Sequence, residues 1–239
     1  MKFRTASSDL KQMITTNGCG RMNTINKQHI LTAEAYVRPF FERDHSGHDW
    51  GHIQRVRRNA LFICKQESCQ NPQAVELISL LHDVSDPKLH ETYEVGQDAL
   101  EKVLNELSFT RETELLVKEA IVSVSFNGGH EKSLPCTEAA IVRDADRLDA
   151  IGAVGIARTF AYGGSRGAKM YDDEIRIREK MTEKEYRSET STTVHHFYEK
   201  LLKLKNLMVT ETGKKLAHER HQFMESYLKQ FLKEWKGQA

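Results

Sequence analysis

Cysteine, proline and long apolar runs are all scarce in this chain of 239 residues, and each scarcity narrows what it can be. The four cysteines, Cys19, Cys64, Cys69 and Cys136, contain no CxxC pair. So sparse and irregular a set reads as reduced thiols in a cytoplasmic protein, not as a disulfide framework. No apolar stretch approaches the roughly 20 residues that a transmembrane helix needs. The opening "MKFRTASSDLKQMITTNGCGRMN" is polar throughout and lacks a secretory apolar core. An excess of one charge is also missing. With 35 basic and 34 acidic side chains the formal net charge is +1, a balance that favours neither nucleic acid nor a membrane surface as a partner.

Only four prolines interrupt the chain, and helical periodicity recurs between them. Ile53, Val56, Ala60 and Ile63 fall on one helical face, and Val75, Ile78 and Leu81 on another that starts at Pro72. Further stripes are Val95, Ala99, Val103 and Leu107; Leu115, Leu116, Ala120 and Val124; and Val194, Phe197, Leu201 and Leu204. "TEAAIVRDADRLDAIGAVGIARTF" predicts one bent helix or two successive ones, with Gly152 and Gly155 in the second. "IVSVSF" is β-branched but short, and it continues a helical pattern. The expected fold is therefore all-α, a single helical bundle around one core. Residues 1–22 read as a disordered leader, with Met22 an alternative start, and 23–239 as the folded domain. Glycines and then charges across 162–190 predict a long loop or lid.

Polar groups of one chemical kind punctuate these stripes. "SGHDWGHIQRV" places His52 where the first strong helix begins, "LLHDVSD" ends an apolar helix with His82 and Asp83, and "VRDADRLDA" carries Asp146. Alone, each has an ordinary reading: a helix-start residue, a core histidine, a paired acid. Together they read as a candidate ligand set, because an acid beside a core is costly unless paired or metal-bound. Two imidazoles and two carboxylates suit Mn, Fe, Co, Ni or Zn better than Ca, and four protein ligands in an octahedral shell leave two positions open. Adjacent helical residues point about 100° apart, so His82 and Asp83 can share one ion only in the groove between them or where the helix loosens. Asp86 and Pro87 predict a helix end just there.

The pattern H…HD…D with these flanks resembles the HD-domain metal-dependent phosphohydrolases. "HDWGHIQRV", "LLHD" and "DADRLDAIGAVGIARTFA" match the family's three motifs over roughly residues 30–215, and the third looks like the small bacterial members. The resemblance implies one divalent ion, with Mn preferred over Co, Ni, Fe, Zn and Mg, held by His52, His82, Asp83 and Asp146. Because "ADRL" fits the family pattern, Asp146 rather than Asp144 takes the last position. The implied reaction is hydrolysis of a phosphoester or phosphoanhydride in a small-molecule nucleotide, with (deoxy)nucleoside triphosphates yielding monophosphate and pyrophosphate. Asp86 is the expected proton-handling residue, at a position where many family members carry the longer glutamate. Arg55, Lys88 and His90 are expected to meet phosphate, with Arg55 and Lys88 also counted as catalytic and Arg147 and Arg158 as weaker candidates. His48 and Asp49 either buttress His52 or cap its helix. "YGGSRGAK" matches neither phosphate-loop pattern. The alternatives are a nucleotide monophosphate phosphatase, a two-iron oxygenase using His90 and His130, and a nucleotide-sensing module without turnover.

Overall fold

The structure is a computed structural model and describes residues 22, 24–42, 49–86, 89–125, 131–178 and 191–238. Among these residues the chain forms α1 (Lys27–Phe41), α2 (Trp50–Gln66), α3 (Pro72–Leu81), α4 (Tyr93–Leu107), α5 (Arg111–Val124), α6 (Thr137–Asp149), α7 (Gly152–Ser165), α8 (Thr193–Glu199), a 3₁₀ segment (Leu201–Leu207) and α9 (Glu211–Trp235). No strand is present among them, as the all-α expectation requires. No helix is long and apolar enough to cross a membrane among the described residues. Short polar side chains start most of the helices. Asn26, Asp49, Asn71, Thr92, Thr110, Thr192 and Thr210 each accept a backbone N–H of the first turn, and Pro72 occupies the first position of α3.

Helix α6 lies at the centre. It packs against α2, α3, α5, α7 and α9. From Glu138 to Asp149 every side chain but Asp146 is buried, the pattern of a helix enclosed all round. Ile53, Val56, Ala60 and Ile63 of α2 and Val75, Ile78 and Leu81 of α3 are wholly buried, as their spacing predicts.

Elsewhere the stripes shift. In α4 Val95 is exposed and Gly96, Leu100, Val103, Leu104 and Leu107 face inward; in α5 Leu115 is exposed while Val117, Ala120, Ile121 and Val124 are buried. Periodicity gives a face, and the neighbours decide which edge of it is covered. The motif around Gly152 resolves as two helices, broken at Ala150–Ile151 by a left-handed φ of +76° at Gly152. The expected loop from 162 begins later, since Tyr162 to Ser165 close α7: Gly163 lies directly against Thr193 of α8, where a side chain would collide. Residues 166–178 are irregular, and 179–190 lie outside the described residues, as do 1–21 of the expected leader. Met22, assigned to that leader, is instead buried in the core.

Asp144 shows what the central helix demands of a buried acid. Its carboxylate accepts the backbone N–H of Val209 (3.0 Å) and of Thr210 (2.7 Å) and the Thr210 hydroxyl (2.8 Å). It thereby anchors the start of α9, and it does not face the His–Asp groups. Gly213 comes so close to it that a Cβ there would meet Asp144 Oδ2 at 2.5 Å. Replacing Asp144 with Ala orphans these donors, and we expect a loss of about 2–4 kcal/mol in denaturant unfolding.

Candidate metal centre

Three helices deliver four ligand-type atoms to one point. His52 stands in the first turn of α2, His82 and Asp83 directly follow α3, and Asp146 lies on α6. His52 Nε2 is 3.2 Å from Asp83 Oδ2 and 3.5 Å from Asp146 Oδ1. His82 Nε2 is 3.4 Å and 3.8 Å from the same two oxygens. Helix α3 loosens at the HD pair. Val84 N bonds to Leu81 O and Asp86 N to Asp83 O, a tight-turn pattern that lets adjacent side chains converge.

Both imidazoles are fixed from behind. His82 Nδ1 donates to Ser79 O (2.9 Å) and His52 Nδ1 to Asp149 Oδ2 (2.8 Å), so each ring presents Nε2 to the cluster. His82 Nε2 is buried and makes no hydrogen bond among the described residues. A buried, aimed lone pair opposite two carboxylate oxygens is the arrangement a divalent ion fits, and the donor set is the one such ions take. Burial alone would lower the His82 pKa, but Asp83 and Asp146 overcome it and hold the imidazolium up to about 9. Burial likewise opposes the His52 charge, and Asp149 and Asp83 raise it. Asp146 keeps its charge below the usual carboxylate range: burial pushes it up, and the two histidines pull it down.

Asp149 is the residue that motif reading passed over. It is buried yet charged, because besides His52 it receives Arg55 Nε (2.7 Å) and Nη2 (3.1 Å) and Arg158 Nη1 (2.7 Å). Burial acts against its ionisation, and these donors hold it well below the ordinary carboxylate range. The only sequence signal was its i,i+3 spacing from Asp146, which puts both on one side of the helix. Lys200, at the break between α8 and the 3₁₀ segment, also went unmarked. It is half-buried and electrostatically close to Asp146 and Asp86. Burial, with Arg158 and Arg147, lowers its pKa against the pull of those acids.

The remaining expected residues fall in different places. Arg55 contacts Asp149 and so touches the cluster through His52's partner. Asp86 is half-buried in the turn after the HD pair. His90 gives Nε2 to Val84 O (2.6 Å) and stacks on Phe40, a structural engagement. Asp49 caps α2 through His52 N (2.7 Å). Arg147 is committed to Leu207 O and Glu131. The first four residues of "YGGSRGAK" close α7 and the next three turn back onto its last carbonyls, the negative end of a helix, which disfavours a phosphate. His48, Lys88 and His130 lie outside the described residues.

Comparison with known proteins agrees with this geometry. No family model matches the chain. The Bacillus subtilis protein YpgQ, described as uncharacterized, is 35% identical over 204 residues, covering 84% of this chain and 91% of YpgQ. A YpgQ structure in complex with ADP aligns with a TM-score of 0.67 at 33% identity, over 87% of this chain and 95% of that one. A Lactobacillus plantarum structure gives a TM-score of 0.82 at 37% identity, covering 90% of this chain and all of that one. An HD-superfamily hydrolase from Bacillus thuringiensis gives 0.68 at 40% identity, covering 88% and 98%. Fold and cluster thus define an all-α metal-dependent hydrolase. The chain belongs to the HD superfamily of hydrolases.

Two outcomes follow for metal binding. An imidazolium has no lone pair to give, so metal affinity should rise as pH increases from 6.5 toward 9, the range over which His82 is held protonated without an ion. Calorimetry in buffers of different ionisation enthalpy should register the proton release. Asp149→Asn should weaken metal binding by about 10–100-fold, through loss of the charge behind His52, with little change in circular dichroism.

Proposed function

We propose that the chain hydrolyses nucleotides, splitting (deoxy)nucleoside triphosphates into monophosphate and pyrophosphate, with one divalent ion held by His52, His82, Asp83 and Asp146. The observation that carries the metal site is the convergence of His52 Nε2, His82 Nε2, Asp83 Oδ2 and Asp146 Oδ1. Support for a nucleotide comes from the ADP complex of YpgQ, a protein 35% identical to this one. Mn is the ion we prefer, as the resemblance implies.

A divalent ion in such a site supplies Lewis acidity and lowers the pKa of water. The protein's own groups do the rest. Asp146 is the partly open member of the cluster, with a side chain 26% exposed, so substrate approaches from its side. Lys200 is electrostatically close to Asp146 and Asp86, and its ammonium neutralises phosphoryl oxygens as a compact point charge. Asp86 accepts the proton of the attacking water, at a position that reaches Lys200 electrostatically. Lys88 follows Asp86 by two residues in sequence and joins Lys200 as a phosphate contact. Arg55 and Arg158 act through Asp149, holding His52 in its ligating tautomer. The two-iron reading draws less support, because His90 already gives its Nε2 to Val84 O.

The test is a turnover screen of metal-stripped protein reloaded with Mn, Co, Ni, Fe, Zn or Mg on ribo- and deoxynucleotides. Metal-dependent pyrophosphate release, lost at least about a thousandfold in Asp83→Ala, is the expected result. Lys200→Ala should raise KM for triphosphates about tenfold or more while leaving metal content unchanged. Phosphate release from monophosphates alone would replace the substrate. Binding of one ion with no turnover would favour a sensing module, and two irons per chain an oxygenase.

A further inference from the structure

A separate cavity of about 470 Å³ reaches Asp149 without including His52, His82, Asp83 or Asp146 in its walls. Its volume suits a small organic ligand. Three guanidinium groups line it, those of Arg55, Arg58 and Arg220. Elsewhere the fold satisfies its inward-drawn arginines with acids: Arg57 with Glu34 and Glu76, Arg143 and Arg147 with Glu131, and Arg178 with Glu199. In this cavity Arg55 alone has such a partner, Asp149.

Arg58 and Arg220 have no carboxylate within 4.0 Å among the described residues. Arg58, which lines the cavity, uses Nε on Gln54 O (3.0 Å) and leaves its Nη groups for a ligand. Arg220 donates to Leu148 O and to Asn59 Oδ1 (3.5 Å). One further acid, Glu219, borders the cavity, and the charge of Asp149 is already met by His52, Arg55 and Arg158. The balance inside is positive.

The backbone adds to it. Helix α7 starts in this wall at Gly152, and Ile151 gives it no side-chain cap, so first-turn N–H groups remain for a ligand. Gly152 is also what lets Arg220 lie across that start, since a Cβ there would come within 2.9 Å of Arg220 Cγ. Val154 and Phe223, both on the cavity wall, are exposed apolar side chains beside the cations.

We propose that this cavity binds a phosphate group of a small organic anion, with Arg58, Arg220 and the start of α7 taking the phosphate and Val154 and Phe223 covering the organic part. The site is distinct from the His–Asp cluster and does not depend on hydrolysis. The test uses the full chain, isotope-labelled, with AMP as the probe and adenosine as the phosphate-free control. Backbone amide resonances of Gly152, Ala153 and Val154 are followed in the wild type and in Asp83→Ala, Arg58→Glu and Ala153→Glu. Arg58 and Ala153 are exposed, so these two variants add charge without disturbing the core.

Saturable shifts with AMP and none with adenosine, retained in Asp83→Ala and weakened at least about tenfold in both glutamate variants, are expected. Shifts that do not saturate, that adenosine reproduces, or that survive both glutamate substitutions would overturn the proposal. Retained shifts in a protein without turnover would remove the hydrolase reading and leave this site standing. Turnover without these shifts would do the reverse.

Discussion

A carboxylate can leave water only where donors or cations replace it, and helix α6 carries Asp144, Asp146 and Asp149 through the centre of the fold. Each is compensated differently, and each compensation ties the helix to another part of the chain. Asp144 takes backbone and hydroxyl donors from Val209 and Thr210 and so fixes where α9 begins. Asp149 takes one imidazole and two guanidiniums from α2 and α7. Asp146 faces the two histidines and the remaining acid of the cluster. The first two are closed sets. Only Asp146 opens toward solvent, so it is the one where chemistry with an outside molecule can occur.

Helical geometry explains this division of labour. Asp144 and Asp146 are two residues apart and point to nearly opposite sides, about 200° around the axis, whereas Asp146 and Asp149 are about 60° apart. The side shared by Asp146 and Asp149 meets α2 at its first turn, where the Asp49 cap holds His52. Placing His52 in the first turn lets its ring lie between the two aspartates, Nδ1 on one and Nε2 toward the other. The ring is thus oriented by a carboxylate that does not join the cluster. His82 reaches the same orientation by a cheaper route, a bond to the carbonyl of Ser79 in its own helix. An acid behind one imidazole and a carbonyl behind the other leave the cluster with two neutralising groups of unequal basicity.

Much of this could be read before any coordinates. The stripes of α2 and α3 and the H…HD…D pattern are local signals, and they point to three helices and to the four residues that converge between them. Asp49 could be read as a cap from its position before the helix. What escaped were relations between distant segments. Nothing near Asp149 shows that Arg55, 94 positions earlier, will reach it. Lys200 hides in a stripe of Val194, Phe197, Leu201 and Leu204 that suggests one continuous helix. The chain instead breaks there, at φ −133° and ψ −61°, and passes into a 3₁₀ turn. The edges of α4 and α5 moved because covering is decided by tertiary neighbours, as at Gly96, which packs against His90 and Ser85.

Asp149 belongs to two environments at once, and this has a thermodynamic consequence. One oxygen serves His52 and Arg158, and the other receives Arg55 Nε. Arg55 also lines the cavity that holds Arg58 and Arg220. An anion that drew Arg55 toward the cavity would leave more of the Asp149 charge on His52, and a more negative partner makes an imidazole a stronger donor to a metal. Linkage is reciprocal for binding free energies. A cation held by His52 would, by the same linkage, change the cavity's affinity for such an anion by the factor by which the anion changes the cation's. The path is three side chains long and direct, His52 to Asp149 to Arg55. It would need no change of fold, since the Arg55 side chain is 30% exposed to solvent.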